Sequence, residues 1–335
     1  MKAHLHLSHP RPRARRGLNA SFVWPALLLL AATAWLALAA APPSPKVLLV
    51  NSDASVAKYV EVRDAFKEAL GADAGTVTEV DVSKVGEAGL RRALAAENPG
   101  ILYCIGAQAY QTAAKSARGR SIILSTAINW ERFKPDPRTT RVIAIELPAV
   151  AQLTLFRHFF PKLQRVGVVY NPDINKQWFE QAVAAGKEVG VEVIGRTINR
   201  SSQIASALTE LTPKVDALWI TPDPVVLPNE AAVNLYFTHA DAARKPVFAY
   251  STTYLTLKVN AKLDATSPLG ATLVLAPDVP TTGRQAASVA QDFAGAPAVT
   301  TPAGSEVTLN LKRVQQYGLE FNRDALDAVN NLIRK

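Results

Sequence analysis

The sequence RVGVVYNPDINKQ, Arg165–Gln177, says most about the architecture of this chain. Four of the five residues from Val166 to Tyr170 are apolar and none is charged, and the Asn171-Pro172 pair ends the run. Beyond the proline, the apolar residues take a helical spacing. The stretch therefore predicts a buried strand, a tight turn and a helix, the unit from which parallel α/β sheets are built.

A stretch of the same order occurs about 120 residues earlier, in Lys46–Lys58, KVLLVNSDASVAK. It has a basic residue, an apolar run, an Asn-containing turn and the start of a helix. Two similar openings predict two similarly built lobes. Strand and helix patterns alternate through the rest of the chain, which favours parallel sheets with right-handed crossovers. We therefore predict an α/β protein with two doubly wound parallel-sheet lobes.

Apolar runs bounded by turn residues give the remaining strands of this prediction. The expected strands are Val47–Asn51, Val77–Val82, Ile101–Ile105, Ile122–Ser125, Val142–Glu146, Val191–Ile194, Ala217–Thr221, Val247–Tyr250, Thr272–Leu275 and Val307–Leu311. The last expected element is a helix over Asp324–Ile333.

Length and charge limit the class of protein. A chain of 335 residues with 48% hydrophobic and 19% charged residues suits two globular domains. Its formal charge is +9, but residues 1–41 contain five basic residues and no acidic one, and the rest has 32 basic against 28 acidic residues. No later segment combines a basic run with interleaved aromatic residues, so nucleic acid is not a predicted partner.

The N-terminus has the pattern of an export signal. A basic segment ending at Arg16 precedes Phe22–Ala39, an uncharged apolar stretch of 18 residues, and a Pro-rich linker follows. Residues 1–45 are therefore predicted to be a secretory signal and linker. The alternative is an uncleaved membrane anchor, which would be the only membrane contact. In both cases the positive charge stays inside, so the body of the protein is exported.

Catalytic and metal-binding patterns are sparse. Cys104 is the only cysteine, and His158 and His239 are the only histidines after the linker. No His-x-x-x-His pair, Gly-x-Ser-x-Gly elbow or phosphate-binding glycine motif occurs. We therefore predict no cofactor, no metal and no enzymatic activity.

Polar and aromatic residues just after the apolar strands form the predicted ligand-binding set. In an open α/β sheet, ligands meet the loops at the carboxyl ends of the strands, where helix N-termini present free N–H groups. The alternative for each short polar residue is a helix cap. The set is Asn51, Ser52, Asp53, Gly106, Ala107, Gln108, Thr126, Asn129, Trp130, Tyr170, Asn171, Gln177, Asp223, Tyr250 and Ser251.

Six segments in this order resemble the periplasmic substrate-binding proteins of ABC uptake systems, some of which bind aromatic amino acids. They are CIGAQAYQTA (104–113), RVGVVYNPDINKQ (165–177), VDALWITPDPVV (215–226), RKPVFAYST (244–252), LGATLVLAPDVPTTGRQAASVA (269–290) and EVTLNLKRVQQYGLEFNRDAL (306–326).

The resemblance implies a type I periplasmic-binding fold, in which a hinge of three strands joins two lobes. The first lobe would comprise residues 46–147 and roughly 268–300, and the second would comprise residues 148–267 and roughly 301–335. It also implies a periplasmic location, a small solute of amino-acid-like or aromatic character, and an ABC permease subunit as partner.

The chain departs from the family pattern in several predicted loops. Ile174–Gln177 stand where family members commonly carry Glu-x-Asn-Ser, and Pro224 and Val225 replace two polar groups after the Thr-Pro-Asp turn. The Gly-Thr-Pro turn of the first lobe is Gly106-Ala107-Gln108, and Asn129-Trp130 replaces an Asp-Pro. Because buried hydrogen-bonding groups dominate discrimination between ligands, amino-acid specificity does not carry over.

Two other functions remain open at this stage. One is a sensory or interaction protein of the same fold, held at the membrane by Phe22–Ala39 and not linked to transport. The other is an enzyme that uses Asp53 and Asp223 across the cleft, which requires paired acids with displaced pKa values.

Overall fold

The computed structural model describes residues 46–71, 77–255 and 270–334, so the predicted export signal and linker lie outside the described residues. The strands in these ranges are β1 Val47–Asn51, β2 Thr78–Asp81, β3 Ile101–Ile105, β4 Ser121–Ser125, β5 Thr140–Ile143, β6 Arg165–Tyr170, β7 Glu192–Thr197, β8 Ala217–Trp219, β9 Val247–Ala249, β10 Leu273–Pro277, β11 Val299–Thr300, β12 Ser305–Asn310 and β13 Asn331–Ile333. The α-helices are α1 Ala57–Leu70, α2 Val82–Glu97, α3 Ala107–Ser116, α4 Ala149–Phe159, α5 Pro172–Val189, α6 Ile204–Leu211, α7 Glu230–Ala243, α8 Val279–Gln291 and α9 Leu311–Tyr317. None of these helices has the length and apolarity to cross a membrane.

Lobe 1 is built on a six-stranded parallel sheet in the order β11-β5-β4-β3-β1-β2. All five residues of β1 and of β3 are buried, because helices cover both faces of the sheet. Such two-sided burial explains the uninterrupted apolar runs VLLV and ILYCI. Cys104 is one of these residues, fully buried in β3.

Lobe 2 is built on a seven-stranded sheet in the order β13-β12-β10-β9-β8-β6-β7. Its strands are parallel except for the antiparallel pair β10 and β12. The stretch Arg165–Gln177 forms β6 and the first turns of α5, as predicted. Asn171 caps that helix with its side chain, and Pro172 occupies the first turn, where no N–H is needed. The predicted α/β class with two mostly parallel sheets is confirmed.

Along the described residues, three connections cross between the sheets. They follow β5, β10 and β11, the last of which pairs with β5 in lobe 1. The segment expected in lobe 1 from about residue 268 contains β10, which instead pairs with β9 and β12 in lobe 2. Lobe 1 therefore resumes with α8 at Val279, about ten residues later than the resemblance suggested.

The C-terminal helix expected over Asp324–Ile333 is wrong. Arg323–Ala328 forms a 3₁₀ turn, and Asn331–Ile333 is the edge strand β13, parallel to β12. Asn330 fixes this pairing, because its Oδ1 accepts from the backbone N–H of Val307 at 2.7 Å and its own N–H donates to the Val307 carbonyl at 2.9 Å. The pairing of Asn331–Ile333 with β12 at the sheet edge therefore determines the structure of this segment, despite its helical spacing of apolar residues.

The close packing of α8 on α1 completes lobe 1 and depends on Gly283. A Cβ at this position would overlap the carbonyl oxygen of Val62 and lie 2.9 Å from the backbone nitrogen of Phe66. Because the obstacle is backbone, it does not move aside, and we expect Gly283→Ala to lower the free energy of unfolding by about 3 kcal/mol. Urea denaturation measures the change.

Gly318→Ala is the matched control for this prediction. Gly318 has open space around it and a left-handed conformation with a φ of +64° and a ψ of 34°. The cost of an alanine there is backbone strain alone, about 1 kcal/mol. Equal losses for the two variants would contradict the packing account of Gly283.

Candidate ligand-binding cleft

A cleft of about 590 Å³ lies between the lobes, at the carboxyl ends of the strands. This volume is within the range of small-molecule sites, about 300–1,000 Å³. Lobe 1 contributes the start of α1, and lobe 2 contributes the ends of β8, β9 and β10. Most of the lining is apolar: Val56, Ala57, Ile128, Ile145, Leu147, Trp178, Trp219, Ile220, Pro222, Tyr250, Leu275, Ala276, Pro277 and Val279.

Three aromatic residues give the lobe 2 side of the cleft a stiff wall. Trp219, at the end of β8, is fully buried, and its ring lies 5.0 Å from that of Trp178 and 5.4 Å from that of Phe156. The hydroxyl of Tyr250 lies 2.9 Å from that of Tyr254, and burial raises the pKa of Tyr250. Because Trp219 is buried, the ring faces left for an apolar or aromatic ligand are those of Trp178 and Tyr250.

Glu146 is the carboxylate set deepest in this site, on the first connection between the lobes. One carboxylate oxygen, Oε1, accepts the backbone N–H of Asn129, whereas Oε2 is buried and has no hydrogen-bond partner among the described residues. Burial raises the pKa of Glu146 to about 7. A buried carboxylate without a full set of donors is costly, so this oxygen is a strong candidate for ligand contact.

A second cavity of about 570 Å³ shares Glu146 and Trp178 with the main cleft. It is more polar and is lined by Asn129, Glu131, Arg132, Pro172, Asp173, Ile174, Asn175, Lys176, Gln177, Glu180 and Gln181. A third, smaller cavity of about 260 Å³ includes Asn129, Asp223 and Tyr250 in its lining. Glu146 and Trp178 therefore lie where the mostly apolar main cleft meets the more polar second cavity.

Asn129 connects the two lobes directly. It adopts a left-handed φ of 51° and lies in lobe 1, between β4 and β5. Its Nδ2 donates to the carbonyl oxygen of Pro222, in lobe 2, at 3.0 Å. Asn175 donates to the same carbonyl at 3.0 Å. The backbone of Asn129 therefore holds Glu146 while its side chain holds the opposite lobe.

The predicted residues after β1 serve the local structure. Asn51 accepts from the N–H of Asp53 at 3.1 Å, and Asp53 accepts from the N–H of Ser55 at 2.9 Å. The Ser55 side chain also donates to Asp53 and lowers its pKa. Ser52 accepts from the N–H of Ala109 at 2.9 Å, near the start of α3. None of Asn51, Ser52 and Asp53 lines the cleft.

The other predicted lobe 1 residues are also away from the main cleft. Gly106 has a φ of +90°, and a Cβ there would lie 2.5 Å from Oγ of Ser52, so this turn requires glycine. Ala107 and Gln108 begin α3, and Gln108 is exposed. Thr126 is buried and donates to the carbonyl of Ser125 at 2.7 Å. Trp130 packs against the lobe 1 core.

In lobe 2, three of the predicted residues have structural partners. Tyr170 stacks on Phe179 with ring centroids 4.3 Å apart. Asn171 caps α5 and donates to the carbonyl of Ile198 at 3.0 Å. Asp223 is buried and accepts four hydrogen bonds, from the N–H groups of Asn171, Val225 and Val226 and from Nδ2 of Asn175. With Asp53 and Asp223 both occupied by helix or turn N–H groups, the paired acids of the enzymatic alternative are not assembled.

Tyr250 and Ser251 line the main cleft, and Asn129 and Gln177 line the second cavity. Sequence reasoning missed Lys58, Glu61, Glu146, Gln152, Trp178, Trp219 and Glu306, which also face the main cleft. A usable signal existed for Glu146, the charge that directly follows the apolar run Val142–Ile145. Among the described residues, no group of three or more His, Cys, Asp or Glu side chains is placed to hold a metal ion.

Two α/β lobes around an interlobe cleft, joined by three crossing connections, define a type I periplasmic-binding-protein fold. The model of the ABC transporter substrate binding protein family matches residues 47–293, and the chain belongs to this family. No curated protein sequence matches it.

Three solved structures share the fold at low sequence identity. One is a conserved domain protein from Vibrio cholerae (19% identity, 86% of this chain and 99% of that one, TM-score 0.59). Another is an ABC domain in complex with L-Trp from Streptococcus pneumonia (18%, 86% and 100%, TM-score 0.57). The third is a ligand-free, open substrate binding protein with adhesive properties from Clostridium difficile (14%, 87% and 99%, TM-score 0.66).

Proposed function

We propose that this protein captures a small solute with an apolar or aromatic body between its lobes and delivers it to an ABC permease. The observation that carries the proposal is the aromatic-walled cleft of about 590 Å³ between two lobes joined by three connections. Family membership supports the solute-binding role. The predicted export signal supports a periplasmic location for the mature protein.

The interlobe contacts support binding by hinge closure. The side chain of Asn129 already reaches the carbonyl of Pro222 across the lobes. The crossings after β5 and β10 pass directly beside the cleft, because Ile145–Leu147 and Val279 line it. Small changes in the backbone angles of a few connecting residues can therefore open and close the site.

Two observations support an aromatic or similarly flat solute. The partly exposed rings of Trp178 and Tyr250 offer surfaces for stacking, and the buried Trp219 packs behind Trp178. A structural relative from Streptococcus pneumonia was solved with L-Trp. The loops of this chain differ from the family pattern. We therefore expect the polar ends of the solute to be bound by residues that other family members do not have at these positions.

The proposal is tested by recovering the solute. Protein purified from the cell envelope is denatured, and the released small molecules are identified by mass spectrometry. We expect one dominant solute near one equivalent, which then raises the melting temperature and lowers the radius of gyration of the stripped protein. Absence of a released solute, with no thermal shift across amino acids, nucleosides, sugars and organic acids, would refute solute capture. Uptake of the labelled solute by cells with and without the gene tests delivery to the permease.

A further inference from the structure

We propose that Glu146 is the specificity-determining residue of the cleft and that the captured solute carries a protonated nitrogen, which donates to Oε2 of Glu146. The solute class is thus an organic cation or zwitterion with an apolar or aromatic body. This inference rests on the proposed function and names the chemistry of the same site.

The first step is the unsatisfied oxygen. Oε2 of Glu146 is buried and has no donor in hydrogen-bond geometry among the described residues, whereas Oε1 accepts the N–H of Asn129. Burial raises the pKa of Glu146 by more than the nearby N–H groups of Asn129, Glu146 and Ile145 lower it. A carboxylate shielded from water loses hydration that only strong donors replace. A charged N–H donor is the strongest available, because charge-assisted hydrogen bonds are roughly twice as strong as neutral ones.

The second step is position. Glu146 and Trp178 belong to the lining of both large cavities, so a group placed against Glu146 is reached from either side. The contact to Asn129 fixes one carboxylate oxygen and leaves the other for the solute. Trp178 and Tyr250 line the same cleft, and aromatic faces attract cations. The charge of Glu146 also raises the pKa of Tyr250, as expected for neighbouring groups.

The third step is the sign of the surrounding charge. The ionisable residues that line the main cleft, apart from Tyr250, are Lys58, Glu61, Glu146 and Glu306, three acids and one base. Glu61 and Glu306 are exposed, so water screens their charges. Partial burial of the Lys58 amino group lowers the pKa of Lys58, which disfavours its charged form. The charged groups that face Glu146 from the second cavity are exposed: Glu131, Arg132, Asp173, Lys176 and Glu180. The most buried charge in the site is therefore the negative charge of Glu146.

The pH dependence has a defined sign. In the empty cleft the pKa of Glu146 is about 7, because burial disfavours the carboxylate. A protonated amine binds the ionised form, so its affinity rises with pH below about 7 and levels off above it. In Glu146→Gln the side chain at position 146 does not titrate, so the affinity for the amine should not change with pH near 7.

Matched pairs of probes that differ in the amino group test the proposal. Isothermal titration compares phenethylamine with 2-phenylethanol, and L-phenylalanine with 3-phenylpropanoate, on wild type, Glu146→Gln and Glu188→Gln. Glu188 is exposed on α5 and lines none of the described cavities. We expect wild type to bind the amino member of each pair at least tenfold more tightly than the member without the amino group. The affinity of Glu146→Gln for the amino member should be at least tenfold lower than that of wild type. Glu188→Gln should remain within threefold of wild type.

The outcomes separate this inference from solute capture itself. Equal binding of the amino and des-amino members, or full amine binding by Glu146→Gln, overturns the role of Glu146 and leaves capture standing. Recovery of a solute without a protonatable nitrogen would also overturn the role of Glu146 and leave solute capture standing. If no probe binds and no solute is recovered, both proposals fail. If Glu146→Gln is unstable, the comparison of amino and des-amino probes on the wild-type protein still tests the proposal.

Discussion

Replacement of Asp223 by alanine is expected to lower the free energy of unfolding by about 4 kcal/mol. The side chain is buried, and its two oxygens accept the N–H groups of Asn171, Val225 and Val226 and the amide of Asn175 at 2.7–3.1 Å. Alanine leaves these four donors without an acceptor, and each buried unsatisfied donor costs about 1–3 kcal/mol, part of which relaxation recovers. Urea denaturation followed by circular dichroism measures the loss.

Asp216→Ala is the control for this prediction. Asp216 also accepts backbone N–H groups, from Gln164 and Arg165, but its side chain is 33% exposed. Water replaces the lost acceptor there, so we expect a loss of about 1 kcal/mol. A loss for Asp223→Ala no larger than that for Asp216→Ala would show that the loop after β8 is not held by its carboxylate.

Replacement of Trp178 by alanine is expected to weaken solute binding by about tenfold to a hundredfold, or about 2 kcal/mol. The indole lines both large cavities and packs edge-on against Trp219 with ring centroids 5.0 Å apart. Its loss removes a ring face from the wall and opens the apolar cleft to water. Titration of the solute recovered from the envelope provides the measurement.

Phe179→Ala separates binding from stability. Phe179 is the next residue on α5, and its ring stacks on Tyr170 instead of lining a cavity. We expect this variant to lose stability but to retain an affinity within threefold of wild type. Similar affinity losses in the two variants would mean that Trp178 acts through the packing of α5 and does not contact the solute.

The fold was predictable because helices on both faces of each sheet produce runs of apolar residues. β1, β3 and β6 stand in the sequence as such runs, each followed by a turn and a helix. Segments that add to a sheet edge are different. β13 has only three residues and takes its place from pairing with β12, so the local spacing of Asp324–Ile333 pointed to a helix.

The site was less predictable, because strand ends carry two kinds of polar residue. Asn51, Asp53 and Asn171 have short side chains that reach N–H groups two residues ahead, and the local backbone occupies them. Of the residues that line the cleft, Glu146 had a local signal in the apolar run before it, whereas Trp178 lies inside α5 and had none. The place of Trp178 in the cleft depends on how the two lobes face each other, which the local sequence does not show.

The late arrival of α8 and β11 has a consequence for the order in which the protein folds. Val62 and Phe66 on α1 belong to the same core as Ala286, Ala287 and Ala290 on α8, more than 200 residues further along the chain. The chain through β5 therefore contains five of the six strands of lobe 1, but the apolar face of α1 that packs on α8 is uncovered. Most of lobe 2 lies between these two parts in the sequence, so completing lobe 1 requires contacts of long sequence separation, which form slowly.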